Sequence, residues 1–152
     1  MDAQLLKKVA LFEGLTQGQL AKVASIAQAR SYEVGAHLFR EGEAGHEVFI
    51  LLSGKVRISN SVPGIGEEAL AILEPGQYFG EMALIEDGPR SADAIAHTPC
   101  SVRVIEREAL DQLMFTDKDL AYVLLWTFVR TLSGRLRETN DKIKAFFAIS
   151  RF

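Results

Sequence analysis

The chain has 152 residues, 48% of them hydrophobic, and a formal net charge of −3; this suits one domain with a sizeable core and argues against whole-chain disorder and against a nucleic-acid binder, which carries an excess of Lys and Arg. The single cysteine, Cys100, excludes an intrachain disulfide, fits a reducing compartment and reads as a small buried apolar residue. The opening "MDAQLLKKVALFEGL" is not a signal peptide and no apolar run approaches ~18 residues, so a cytoplasmic protein without a membrane partner is expected.

Residues 1–30 are predicted to form two short helices. "DAQLLKKVALF" spaces Leu5, Leu6, Val9 and Phe12 at three-to-four intervals, and "LTQGQLAKVASIAQAR" does the same with Leu20, Val23, Ala24 and Ile26, with Thr16 as N-cap. Over residues 31–107 the pattern changes to short β-rich runs cut by glycine: "AHLF", "EVFILL", "KVRIS", "EALAIL", "ADAIAH" and "SVRVIE". Short strands at regular spacing predict an antiparallel barrel or sandwich, with "NSVPGIGEE" as a hairpin loop turned by Pro63 and Gly64.

Residues 108–150 return to helix. "REALDQLMF" is short. "TDKDLAYVLLWTFVRTLSGRLRETNDKIKAFFAI" then runs without proline, capped by Thr116 or Asp117. At ~1.5 Å per residue it spans about 45 Å, more than a small barrel covers. One stripe, Tyr122, Leu125, Val129, Leu132, Leu136, Thr139, Ile143 and Phe146, alternates steps of three and four. That is a heptad seam, which predicts a helix pair across a homodimer axis. A second stripe, Leu120, Leu124, Phe128 and Thr131, is expected to pack on the barrel, and Gly134 marks a close approach or a bend.

The segment "FGEMALIEDGPRSADA", Phe79 to Ala94, holds the chemistry. Gly80 allows close approach of backbone to a ligand, and "EMALIE" is expected to form a short helix whose N-terminal amides suit a phosphate. Arg90 adds a full positive charge with a planar fork matched to phosphate oxygens. Ser91 adds a hydroxyl, and Pro89 stiffens the chain before Arg90. A carboxylate repels phosphate, so Glu81 is expected to face sugar hydroxyls, which donate to it. The two together describe a ribose-phosphate site. The spacing alone also fits a solvated turn with surface charges.

The pattern of "FGEMALIEDGPRSA" closely resembles the phosphate-binding cassette of the cyclic nucleotide-binding domain family, and "GAHLFREGEAGHEVFILLSGKVRI" resembles that family's β-roll. The resemblance implies an α+β fold: a single domain over residues 1–152, with an antiparallel, jelly-roll-like β-roll, leading helices and a long C-terminal helix, and a cassette at 79–92. It implies that Glu81 accepts the ribose 2′-hydroxyl, that Arg90 neutralises the cyclic phosphate with Ser91 and Ala92 beside it, and that the backbone at Gly80, Met82 and Ala83 cradles phosphate and ribose. Ile58 and Leu70 would flank the base. "GRLRETNDKIKAFF" is similar to the dimer helix of bacterial catabolite activator proteins, whose Thr-Ser pair contacts adenine; here the pair is Thr139-Asn140. An amide both donates and accepts, so Asn140 fits adenine or guanine. The implied ligand is cAMP, with cGMP open. Asp93, where many relatives are neutral, is expected to point away from the phosphate.

Other classes fit less well. A cupin-type metal enzyme would need His37, His46 and His97 to converge with a carboxylate, but the chain has no His-x-His pair, so no metal is expected. Ser91 has no evident base, so no enzyme activity is expected. Nothing after the long helix resembles a helix-turn-helix. The chain is thus expected to be either the truncated sensor half of a Crp/Fnr-type transcription regulator or a stand-alone sensor acting through an effector protein, without direct nucleic-acid binding.

Overall fold

The structure, a computed structural model, describes residues 5–84 and 88–150. Its centre is a pair of four-stranded antiparallel sheets, ordered β1-β8-β3-β6 and β2-β7-β4-β5. The strands are β1 (Ala27–Tyr32), β2 (His37–Phe39), β3 (Glu47–Ser53), β4 (Val56–Val62), β5 (Gly66–Leu73), β6 (Tyr78–Phe79), β7 (Asp93–Ala96) and β8 (Cys100–Glu106). Helices α1 (Gln17–Ile26), α2 (Arg107–Thr116) and α3 (Lys118–Ser150) pack outside the first sheet.

The sequence explains this layering. The run "EVFILL" is apolar at every position because β3 is buried on both faces. Phe49 and Leu51 point between the sheets, where they meet Val56, Phe79, Ala94, Cys100, Val102 and Val104. Val48 and Ile50 point the other way, into a second core shared with Phe12, Leu20, Val23, Leu110, Leu120, Leu124 and Phe128. The period of two thus sends alternate residues of one strand into two cores. Cys100 is a buried member of the inter-sheet core, and burial pushes its thiol pKa up.

All six predicted strands are present. The predicted hairpin closes more tightly than its sequence suggested: Val62 pairs with Gly66, and the Ile65 amide donates to the Val62 carbonyl at 3.0 Å. Two strands were not predicted. Ala27–Tyr32 is β1, paired along its whole length with β8 from Ala27↔Ile105 to Tyr32↔Cys100, although Ala27–Arg30 were expected to end a helix. Its sequence "AQARSY" tolerates helix, and the open edge of β8 decides the outcome. Strand β6 has only two residues, paired with Phe49 and Ile50, too few for a periodic signal.

At the N-terminus the continuous first helix is not seen. Leu5 and Leu6 are helical, a turn follows, and Ala10–Phe12 form a 3₁₀ helix that buries Leu11 and Phe12. Residues 1–4 of that expected helix lie outside the described residues. Thr16 does cap α1, in a reciprocal box with Gln19.

Helix α3 has 33 residues and is about 50 Å long. Asp117 is its cap: its Oδ1 accepts from the Leu120 amide at 3.0 Å, while Oδ2 accepts from Lys22 Nζ of α1 at 2.9 Å. The Thr116 hydroxyl instead bonds back to α2 carbonyls. Leu120, Leu124 and Phe128 are buried against the domain and Thr131 is half-buried, as the second stripe predicts. The seam residues Tyr122, Leu125, Val129, Leu136, Ile143 and Phe146 are exposed. A side chain at Gly134 would meet nothing within 4 Å, so it marks no close approach within the chain.

Candidate functional site

Strand β6 ends at Phe79, and Gly80 turns the chain with φ +77°. Only glycine adopts that angle readily. A Cβ there would also stand 2.7 Å from Arg90 Nη1 and 3.1 Å from the Glu47 carbonyl oxygen. Glu81–Leu84 form a four-residue 3₁₀ turn in place of the expected helix over "EMALIE", and the Ala83 amide donates to the Gly80 carbonyl at 3.1 Å. Ile85 and Glu86 of that expected helix lie outside the described residues.

Arg90 returns opposite this turn. Its backbone is strapped to the loop before β3: Arg90 N–H donates to the Glu43 carbonyl at 2.8 Å, and Gly42 N–H donates to the Arg90 carbonyl at 2.9 Å. Its side chain is 8% exposed. Nη1 donates to the Gly80 carbonyl at 3.2 Å and Nη2 to the Glu47 carbonyl at 2.9 Å. The guanidinium lies over the Phe39 ring, 4.3 Å from its centroid. Its Nε is buried without a hydrogen-bond partner. Burial holds the pKa below the usual arginine value, offset by the fields of Glu47, Glu43 and Glu81. Among the described residues no carboxylate oxygen bonds to it. A buried cation fixed by carbonyls and aromatic faces has no neutralising partner among these contacts and can accept an anion.

Glu81 is the second buried charge, at 6% exposure. Its Oε1 accepts from Nη1 of Arg135, which reaches down from α3. Arg135 is not among the site residues expected from the sequence. Its place one turn before Thr139 was the available signal, since a residue four back shares the same helix face.

Between Glu81 and Arg90 lies a cavity of about 480 Å³. Gly80, Glu81, Met82, Ala83, Arg90, Ser91, Ala92 and Ile58 line it, together with Phe39, Gly45, Leu73, Tyr78 and Arg135. Leu70, expected to flank the base, is not at the cavity: it is the extra residue of a β-bulge opposite Ile58 and Ser59, and is 59% exposed. Leu73 lines the cavity on that strand. Thr139 and Asn140 are also outside it, exposed on α3 about 6 Å beyond Arg135 along the helix. The Thr139 hydroxyl donates to the Arg135 carbonyl at 2.9 Å. Asp93 does not line the cavity either; its Oδ1 accepts from the Glu41 amide at 2.7 Å.

Gly45 has a role that the sequence did not reveal. A Cβ at Gly45 would lie 2.1 Å from Arg90 Nε, so the glycine clears the space the guanidinium occupies. Among the described residues, no three His, Cys, Asp or Glu side chains gather as a metal-holding group. His97 Nδ1 lies 3.2 Å from Arg57 Nη1, on the outer side of β4.

An antiparallel roll with a buried arginine and glutamate facing one cavity, under a long helix, defines a class of small-ligand-binding domains. The sequence model described as cyclic nucleotide-binding domain matches residues 29–117, and the chain belongs to that family. It is 30% identical over 140 residues to a CRP-like cAMP-activated global transcriptional regulator of Mycobacterium tuberculosis, covering 92% of this chain and 61% of the relative. It is 37% identical over 170 residues to cGMP-dependent protein kinase 2 of Homo sapiens, covering 97% of this chain and 22% of the relative. Its backbone matches the crystal structure of Thermus thermophilus catabolite activator protein with a TM-score of 0.80 at 31% identity, over 90% of this chain and 62% of that one. The chain therefore spans less than two thirds of each of these relatives.

Proposed function

We propose that this chain is a single sensor domain that binds a cyclic nucleotide, cAMP before cGMP, in the cavity between Glu81 and Arg90. The buried Arg90, whose side-chain hydrogen bonds among the described residues go to carbonyls, is the observation that carries this reading. A cyclic phosphate offers it a monoanion with two exocyclic oxygens, suited to its fork. Glu81 takes the ribose 2′-hydroxyl, and the backbone of the turn from Gly80 to Ala83 lies along the sugar and phosphate. Ile58, Leu73 and Met82 give the base an apolar wall, with Ser91 and Ala92 beside the phosphate.

The output runs through α3. Arg135 bonds to Glu81, so occupancy of the site changes a contact of the long helix. Where the helix leaves the domain, its exposed seam pairs with a second copy in parallel. In that pairing Arg135 occupies a g position and Asn140 an e position, so Asn140 of the partner subunit comes to the mouth of the site. Base choice is then made by Thr139 and Asn140 at the dimer axis. The domain has no catalytic role, acts in the cytoplasm without a membrane or a nucleic acid of its own to bind, and passes its signal to an effector protein or a further domain.

A thermal melt tests the binding. Ligand that binds only the folded state stabilises it by about 2.7 kcal/mol at a hundredfold excess over Kd. The parent protein is expected to melt several degrees higher with excess cAMP and with excess cGMP, and not with 5′-AMP. An unchanged midpoint with both cyclic nucleotides contradicts the proposal.

A further inference from the structure

Tyr78 stands on the site wall with its hydroxyl buried. Its ring is 6% exposed, and its backbone is fixed by pairing with Ile50 across β3. One edge of the ring meets Phe128 of α3, with centroids 6.0 Å apart at 72°. The Arg135 guanidinium carbon is 6.0 Å from the ring centroid. Among the described residues the buried hydroxyl oxygen has no hydrogen-bond partner. An orphaned buried hydroxyl is destabilising, and a phenylalanine at position 78 would pack in nearly the same volume without that cost. The hydroxyl therefore needs a partner that this arrangement of the site does not supply.

Arg135 is that partner by position and chemistry. It is held on Glu81, the same carboxylate that the proposed function assigns to the ribose hydroxyl. When ligand donates to Glu81, the guanidinium gives up part of its acceptor. The Tyr78 ring, its centroid 6.0 Å from the guanidinium carbon, offers an alternative: its face attracts a cation and its oxygen accepts an N–H. We propose that Tyr78 is a positioning residue for the ligand: it receives Arg135 when the ligand takes Glu81, and so holds α3 over the filled site. This inference rests on the cyclic-nucleotide reading of Glu81 and Arg90.

Calorimetric titration with cAMP and cGMP of the parent, Tyr78→Phe, Arg135→Ala and the double variant, with melts of the free proteins, tests it. Tyr78→Phe is expected to weaken binding about three- to tenfold, the worth of one hydrogen bond, with the free protein's melting midpoint unchanged or raised. In the Arg135→Ala background the same change is expected to cost nothing further, because the residues act as a pair. Parent affinity in Tyr78→Phe overturns the inference alone. So does an equal loss in both backgrounds, which is the signature of a structural role. A lower melting midpoint for Tyr78→Phe also overturns it, since the hydroxyl would then already be bonded. Failure of the parent to bind either nucleotide overturns both this inference and the proposed function.

Discussion

At the scale of the residue, the site turns on how Arg90 is kept charged inside the protein. Two carbonyls and an aromatic face fix the fork in place, and burial penalises the charge they hold. Such a group is poised for an anion, because pairing recovers what burial cost. Gly45 makes the pose possible, so Gly45→Ala is expected to displace the guanidinium. The overpacked loop should cost about 1–3 kcal/mol of stability, and nucleotide affinity should fall with it. Denaturant unfolding and a binding titration check both; parent-like values in each would mean that Arg90 is not confined as described. Asp117 offers a second test, by pH. The Lys22 hydrogen bond first, and the Leu120 amide second, hold its carboxyl below the usual aspartate value. A depressed pKa contributes stability that is present above the unfolded pKa and lost as pH falls through the folded one. Asp117→Asn should therefore lower the melting midpoint near neutrality and narrow the gap to the parent on the acid side, below about pH 4. A gap constant from pH 7 to pH 2 contradicts this assignment.

At the scale of the element, α3 does two jobs with two stripes. Leu120, Leu124 and Phe128 bury one face against the roll, and the seam from Tyr122 to Phe146 leaves another open. A charge placed on the seam should then disturb association and leave the domain intact. Leu136, at 63% exposure, is the position to use. Leu136→Glu is expected to melt within about 0.5 kcal/mol of the parent, as surface changes do, while light scattering shifts from dimer to monomer. An unchanged mass contradicts the seam. The elements also show what was readable in the residues. "EVFILL" announced a strand, Thr16 announced a helix start, and the cassette's order of residues brought Glu81 and Arg90 to one cavity. "AQARSY" did not announce a strand, because its β character comes from the edge of β8, some seventy residues away in sequence. Leu70 was misplaced because a one-residue bulge changes which side chains of β5 face the cavity, and a bulge leaves no mark in an alternating pattern.

At the scale of the whole molecule, the fold brings together residues that the sequence keeps apart. Glu81 comes from the turn after β6, Arg90 from the strap before β7, and Arg135 from the middle of α3. The first two were legible because they share one short motif. Arg135 was not, because its contact with Glu81 spans 54 positions and depends on how α3 lies across the roll. In the proposed function that contact makes the domain a sensor: if ligand shifts the helix through it, then by linkage the helix position changes the affinity in return. Calorimetric titration of the parent and of Arg90→Ala with cAMP and cGMP tests the central claim most directly. The account predicts one cyclic nucleotide per chain for the parent and a loss of about 2–5 kcal/mol of binding free energy in the variant, the cost of stripping a buried charge of its partner; equal binding by the two proteins would contradict it.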